Sequence, residues 1–174
     1  MAQDFTIFPS INFVDLGLYQ FGREDCDPAH SFGHAIRNHY LFHYILSGKG
    51  TFMWQDRKGR DNTAVLRAGQ GFLISPRQST TYCADERISW EYCWLEFDGL
   101  RAREALEITG LNINQPVYNP VHQEFEEKMR DEMIYIVQNK KEAPLHLIGH
   151  LYIFIDALTR SVREYKPSEG KVKD

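Results

Sequence analysis

Four of the chain's seven histidines, His30, His34, His39 and His43, fall within one short stretch, so a shared metal ion is the first chemistry to weigh. His39 and His43 border or belong to YLFHYILS (40–47), whose Tyr, Phe and Ile content reads as a strand. Residues four apart on a strand lie about 13 Å from each other, too far to hold one ion. His30 and His34 sit in a loop, and no histidine between His43 and His122 completes a set. Solvated or hydrogen-bonded histidines are expected, and no metal. A nucleophile is equally hard to find. The chain lacks a G-x-S-x-G elbow, and Cys93 falls where a small apolar filler is usual. Glu96 has the right type for acid–base work, but no paired carboxylate is recognised with it in this stretch. No catalytic residue and no cofactor are expected.

Binding chemistry fares better. In ISWEYCWLEFDG (88–99) the residues Trp90, Tyr92, Trp94 and Glu96 recur at every second position. Strand side chains alternate faces, which puts three aromatic rings and a carboxylate on one side, and Glu91, Cys93, Leu95 and Phe97 on the other. Flat rings beside a carboxylate and a guanidinium suit a polyhydroxylated ligand: rings meet C–H groups, and charges direct hydrogen bonds to hydroxyls. Arg37, just ahead of YLFHYILS, is placed to supply the guanidinium, although a surface ion pair would explain it as well. Periodicity alone leaves open whether the aromatic face is a pocket wall or ordinary core.

The elements that must position these residues change character at Gly99. Before it, segments 11–21, 40–47, 50–54, 63–67, 71–75, 80–84 and 88–97 read as short strands separated by turn residues such as Gly48-Lys49-Gly50 and Ser75-Pro76-Arg77. Closely spaced strands of this kind predict an antiparallel barrel or sandwich. After it the period is helical. Asp98 is expected to cap a helix that Gly110 ends, and Asn119-Pro120 to start a second with the stripe Phe125, Met129, Met133, Ile136 and Val137. A third helix starts near Pro144 and stops before Lys166-Pro167. It carries two apolar stripes. Leu145, Ile148, Tyr152, Ile155 and Val162 would dock on the domain; Leu147, Leu151, Phe154 and Leu158 would be left for a second copy, unless both are buried within one chain.

The bulk numbers set limits. A chain of 174 residues with 11 Phe, 9 Tyr and 3 Trp can bury a core without disulfides or metal. Its formal net charge of -4 and the lack of a Lys/Arg run exclude a DNA-binding surface of the usual electrostatic kind within it. Three cysteines without a C-x-x-C pair point to reduced thiols. No signal peptide or membrane helix is evident, so a cytoplasmic protein with no membrane partner is expected.

The runs CDPAHSFGHAIRNHYLFHYILSGKGTF (26–52) and LRAGQGFLISPRQSTTYCADERISWEYCWLEFDGL (66–100) resemble the N-terminal effector-binding and dimerisation domain of AraC-type transcription regulators, the sugar-utilisation regulators of Gram-positive bacteria in particular. The resemblance covers nearly the whole chain. It implies a mainly β fold with C-terminal helices: a cupin-like antiparallel β-barrel holding a small sugar, then helices that pair two subunits. Carried over by position, the sugar contacts fall on Arg37, Tyr82 and Trp94, with Tyr92 in place of the family's histidine. The arm that folds over the sugar would be FTIFPS (5–10), with Phe8 or Pro9 in contact. Trp90 and Glu96 complete the expected lining. The implied organisation is a barrel with its arm over 1–98, a helical dimerisation segment over 99–165, and a linker over 166–174. That linker leads to a helix-turn-helix domain that lies outside this chain and would make the DNA contacts. Two rivals remain: a metal-dependent cupin enzyme acting on a sugar or sugar phosphate, with His34, His39 or His43 as ligands, and an interaction module with a plain aromatic core.

Overall fold

The computed structural model describes residues 2–9 and 13–162. Its elements run β1 (Ala2–Ile7), β2 (Gly17–Asp25), β3 (Ser31–Ala35), β4 (Tyr40–Ser47), β5 (Lys49–Gln55), β6 (Asp61–Arg67), β7 (Gly71–Ile74), β8 (Thr80–Ala84), β9 (Glu91–Asp98), α1 (Leu100–Thr109), β10 (Val117–Tyr118), α2 (Gln123–Gln138) and α3 (Pro144–Val162). The strands form a six-stranded sheet, β1-β2-β9-β4-β7-β10, and a four-stranded sheet, β3-β8-β5-β6. Every strand pairing is antiparallel. The fold is mainly β with C-terminal helices, and its two antiparallel sheets enclose a barrel interior.

Alternation along the central strands divides the interior in two. On β4, Phe42 and Tyr44 face the helices while Leu41 and Ile45 face the barrel. On β9, Cys93, Leu95 and Phe97 face the helices, and Tyr92 and Trp94, with Trp90 just ahead of the strand, face the barrel. The six-stranded sheet is thus covered on both sides, which is why its middle strands are apolar at nearly every position.

The third helix corrects one expectation. Leu147, Leu151, Phe154 and Leu158 are not left over for a partner: all four are buried in the chain's own helix-side core. The Phe154 ring packs against Phe42 and Phe97 at centroid distances of 5.9 and 5.8 Å. Helix α3 packs on both α1 and α2 as well as the sheet, so it needs apolar residues around most of its girth. Of the stripe expected to dock, Ile148 and Ile155 are buried, whereas Leu145 and Tyr152 are exposed together with Ile153.

Tertiary contacts also move the helix starts. Gly99, not Asp98, caps α1, and no side chain caps it. The backbone there presses on Asp15: a Cβ at Gly99 would come within 2.2 Å of the Asp15 carbonyl oxygen. Helix α2 begins at Gln123 rather than Pro120, because the Val121 and His122 N–H groups donate to the Ser161 carbonyl at the end of α3 (2.8 and 3.1 Å). Asn119 does not cap it; its Oδ1 accepts from Gln70 Nε2 at 2.6 Å. Gly110 ends α1 in the left-handed conformation (φ 77°) as expected. Three short strands, β1, β3 and β10, were not foreseen. Through β10 the chain returns to pair with β7 after α1, so Gly99 marks a change of secondary structure rather than a clean boundary. The expected linker over 166–174 lies outside the described residues. No helix among the described residues is long and apolar enough to cross a membrane.

Candidate ligand-binding site

Two glycines seat the tryptophans of the barrel. A Cβ at Gly22 of β2 would lie 2.7 Å from the Trp94 ring, and one at Gly50 of β5 would lie 2.4 Å from the Trp90 ring. Each indole therefore lies on a backbone stripped of its side chain, with no space for even a methyl group beneath it. Trp94 borders an inner cavity of about 30 Å³, together with Gln3, Glu24, Arg37, Tyr82, Tyr92 and His43. Trp90 does not border it: the ring is buried behind the wall, 6.1 Å from Phe72 and 5.7 Å from Tyr92.

Arg37 reaches this cavity from the β3–β4 loop, and its NH1 lies 3.4 Å from Glu96 Oε2. The other oxygen of Glu96 is 3.1 Å from His39 Nδ1, and the His39 ring is stacked on Tyr19 at 3.6 Å. Glu96 and His39 form one side of a second, outer groove of about 510 Å³, whose far side includes Ile7, Phe8 and Pro9. The carboxylate of Glu96 thus contacts both Arg37, which lines the inner cavity, and His39, which lines the outer groove.

Deeper in the barrel, the Tyr92 hydroxyl donates to Glu24 Oε2 at 2.8 Å, and His30 Nε2 lies 3.4 Å from the other oxygen of that buried carboxylate. Burial pushes the Tyr82 and Tyr92 phenols well above their usual range, so both stay protonated, Tyr92 with its one hydrogen committed to Glu24. His43 is pushed the other way. Burial, with the positive charge of Arg37 adding to it, holds the imidazole well below its ordinary value, and it is neutral at physiological pH. The thiols of Cys26 and Cys93 are raised by burial to about 12, which makes them unreactive.

Arg37, Tyr82, Tyr92 and Trp94, expected from three separate segments, therefore meet at one cavity, with Glu96 joined to them through Arg37. The arm contacts differ. Phe8 packs into the helix-side core and, with the exposed Pro9, borders only the outer groove. Strand β1 is paired along β2 from Ala2 to Ile7, which brings Gln3, opposite Glu24, to the inner cavity instead. His43 was expected to be solvated or hydrogen-bonded, but it is 1% exposed inside the barrel and its Nδ1 has no partner among the described residues. Gln3, Glu24 and His43 are the site residues that sequence reasoning missed. For His43 a signal was there: it shares the face of the apolar Leu41 and Ile45. Among the described residues, no three His, Cys, Asp or Glu side chains group as a metal set. What the arrangement offers is directional hydrogen bonding beside aromatic faces.

The model of the AraC-like ligand binding domain matches residues 17–155. The chain belongs to that family. It is 33% identical over 153 residues to the Msm operon regulatory protein of Streptococcus mutans serotype c, an alignment covering 85% of this chain and 52% of that protein. It is also 35% identical over 88 residues to the raffinose operon transcriptional regulatory protein RafR of Pediococcus pentosaceus, covering 49% of this chain and 30% of that one. This AraC-like chain thus spans about half the length of the first relative and less of the second. Among solved structures, it is similar to the Escherichia coli protein YhaK (18% identity, TM-score 0.46, covering 56% of this chain and 45% of that one). It is similar as well to a mutant of the Bacillus subtilis oxalate decarboxylase (13% identity, TM-score 0.43, covering 61% of this chain and 34% of that one).

Proposed function

We propose that this AraC-like domain is the sugar-sensing, dimerising part of a cytoplasmic transcription regulator of carbohydrate utilisation. The observation that carries this reading is the convergence of Arg37, Tyr82, Tyr92 and Trp94 on one cavity, with Glu24 and Glu96 beside them. Aromatic faces, a guanidinium and two carboxylates are what a polyhydroxylated ligand needs. The relatives named for the Msm and raffinose operons support a saccharide as that ligand. DNA contact would belong to a separate helix-turn-helix domain. For sugar to act as a signal it must bind one arrangement of the protein better than another, and β1 is the element best placed to report it, since Gln3 touches the cavity. A metal-dependent enzyme is the weaker reading, because the histidines are dispersed: His34 is exposed, His39 is held by Glu96 and His43 is buried.

Calorimetry against a panel of mono- and oligosaccharides tests the reading. At least one sugar should bind, and Arg37→Ala should weaken it roughly tenfold or more, the cost of one charged hydrogen bond. Unchanged binding in Arg37→Ala would remove the cavity from consideration. Dimerisation would use the exposed face of α3, where Leu145 and Tyr152 are 74% and 41% accessible. Leu145→Glu with Tyr152→Glu should sediment as a monomer, and a persistent dimer would place the contact elsewhere.

A further inference from the structure

His43 stands at the middle of β4, opposite Trp94 on β9 and Phe72 on β7. Its ring is stacked on Phe72 at 4.5 Å and met edge-on by Tyr82 and Tyr92, each at 4.9 Å. Nothing among the described residues hydrogen-bonds its Nδ1. Folded proteins pair the great majority of buried polar atoms, so one that is left over calls for a reason. Packing does not supply it, since a phenylalanine would fill the same aromatic stack without a polar atom to satisfy. The ring is neutral, because burial and the nearby Arg37 charge both disfavour its protonation. A neutral imidazole presents one donor and one acceptor, as a hydroxyl does.

The cavity that His43 borders is about 30 Å³. That is far below the ~300 Å³ at which ordinary ligand pockets begin. It has space for a hydroxyl or hydroxymethyl group and none for a sugar ring. The space for a ring is in the groove of about 510 Å³ that Glu96 lines, and Glu96 is joined to the cavity residue Arg37 at 3.4 Å.

We propose that the barrel reads its sugar end-on: one hydroxyl or hydroxymethyl of a terminal ring enters the inner cavity and hydrogen-bonds His43, while the rest of the molecule lies toward the outer groove. The inference rests on the sugar-binding reading and narrows it. Specificity resides in one edge of one terminal ring. Extension of the saccharide at its far end is tolerated, so a monosaccharide and the oligosaccharides that end in it form one ligand class.

Calorimetry on the whole chain with galactose, glucose, sucrose and raffinose, repeated on His43→Phe and His43→Asn, tests this. His43→Phe should melt at the same temperature as wild type or higher, yet bind the sugar roughly tenfold or more weakly. His43→Asn, which keeps a donor and an acceptor, should recover part of that loss. Deoxy analogues of the terminal ring should lose binding at one position only. Wild-type affinity in His43→Phe, or equal losses at every deoxy position, would overturn the end-on reading and leave sugar binding intact. If His43→Phe fails to fold, the imidazole ¹⁵N signals of wild-type His43 decide: sugar should move them, and unmoved signals overturn the proposal. Failure of every sugar to bind wild type would overturn the sugar reading and this inference with it.

Discussion

The two sides of the six-stranded sheet are built from the same strands to opposite ends. The helix-side core is aliphatic and phenylalanine-rich, and the phenols buried there have partners: Tyr44 donates to Glu126, and Tyr118 and Ser161 share a hydrogen bond of 2.6 Å. The barrel side is crowded with Trp, Tyr and His, holds the carboxylates of Glu24 and Glu96, and has two buried polar atoms, His43 Nδ1 and Trp54 Nε1, without a partner among the described residues. A core selected only for stability has no use for such groups, because each one unpaired weakens it. The contrast is the one the proposed function requires, with cohesion on one side and recognition on the other.

The largest effect that can break this contrast is on the helix side. Phe154→Ala removes a ring from contact with Phe42 and Phe97 and should cost about 3–5 kcal/mol in urea unfolding. The fraction that remains folded should bind sugar with wild-type affinity; a matching loss of affinity would mean that the two sides are not separable. A smaller effect sharpens the barrel side. The unfolded chain's imidazole titrates near ~6.5, while folded His43 resists protonation. Below that pH the unfolded state binds a proton that the folded state refuses, so acid favours unfolding; above it the effect vanishes. Between about pH 7.5 and 5.5 wild type should therefore lose more stability than His43→Phe. Parallel pH profiles for the two would show that His43 is protonated without strain and is not enclosed as described.

The sequence was legible where strand alternation sorted side chains to faces. Cys93, Leu95 and Phe97 on one side, and Tyr92 and Trp94 on the other, follow from the period-two pattern alone. It was not legible where the position of a residue depends on a distant pairing. Glu24 reaches the site because β2 pairs with β9 in a register that sets Glu24 opposite Tyr92, and Gln3 because β1 pairs with β2. Neither register is written in the local sequence. Phe8 was misplaced for the same reason, as an arm residue drawn toward the sugar when its burial is against the helix-side core. The α3 stripe failed differently. Spacing identifies Leu147, Leu151, Phe154 and Leu158 as one buried face but cannot say whether the covering surface is the same chain or another.

Nuclear magnetic resonance of the wild-type chain during sugar titration tests the division most directly, because the two sides carry different reporters. Saturating sugar should shift the Trp94 indole and the Tyr82 and Tyr92 ring signals strongly, and leave Phe154 and the Leu147, Leu151 and Leu158 methyls nearly unmoved. Shifts confined to the helix-side reporters, with the barrel rings unchanged, would contradict the account.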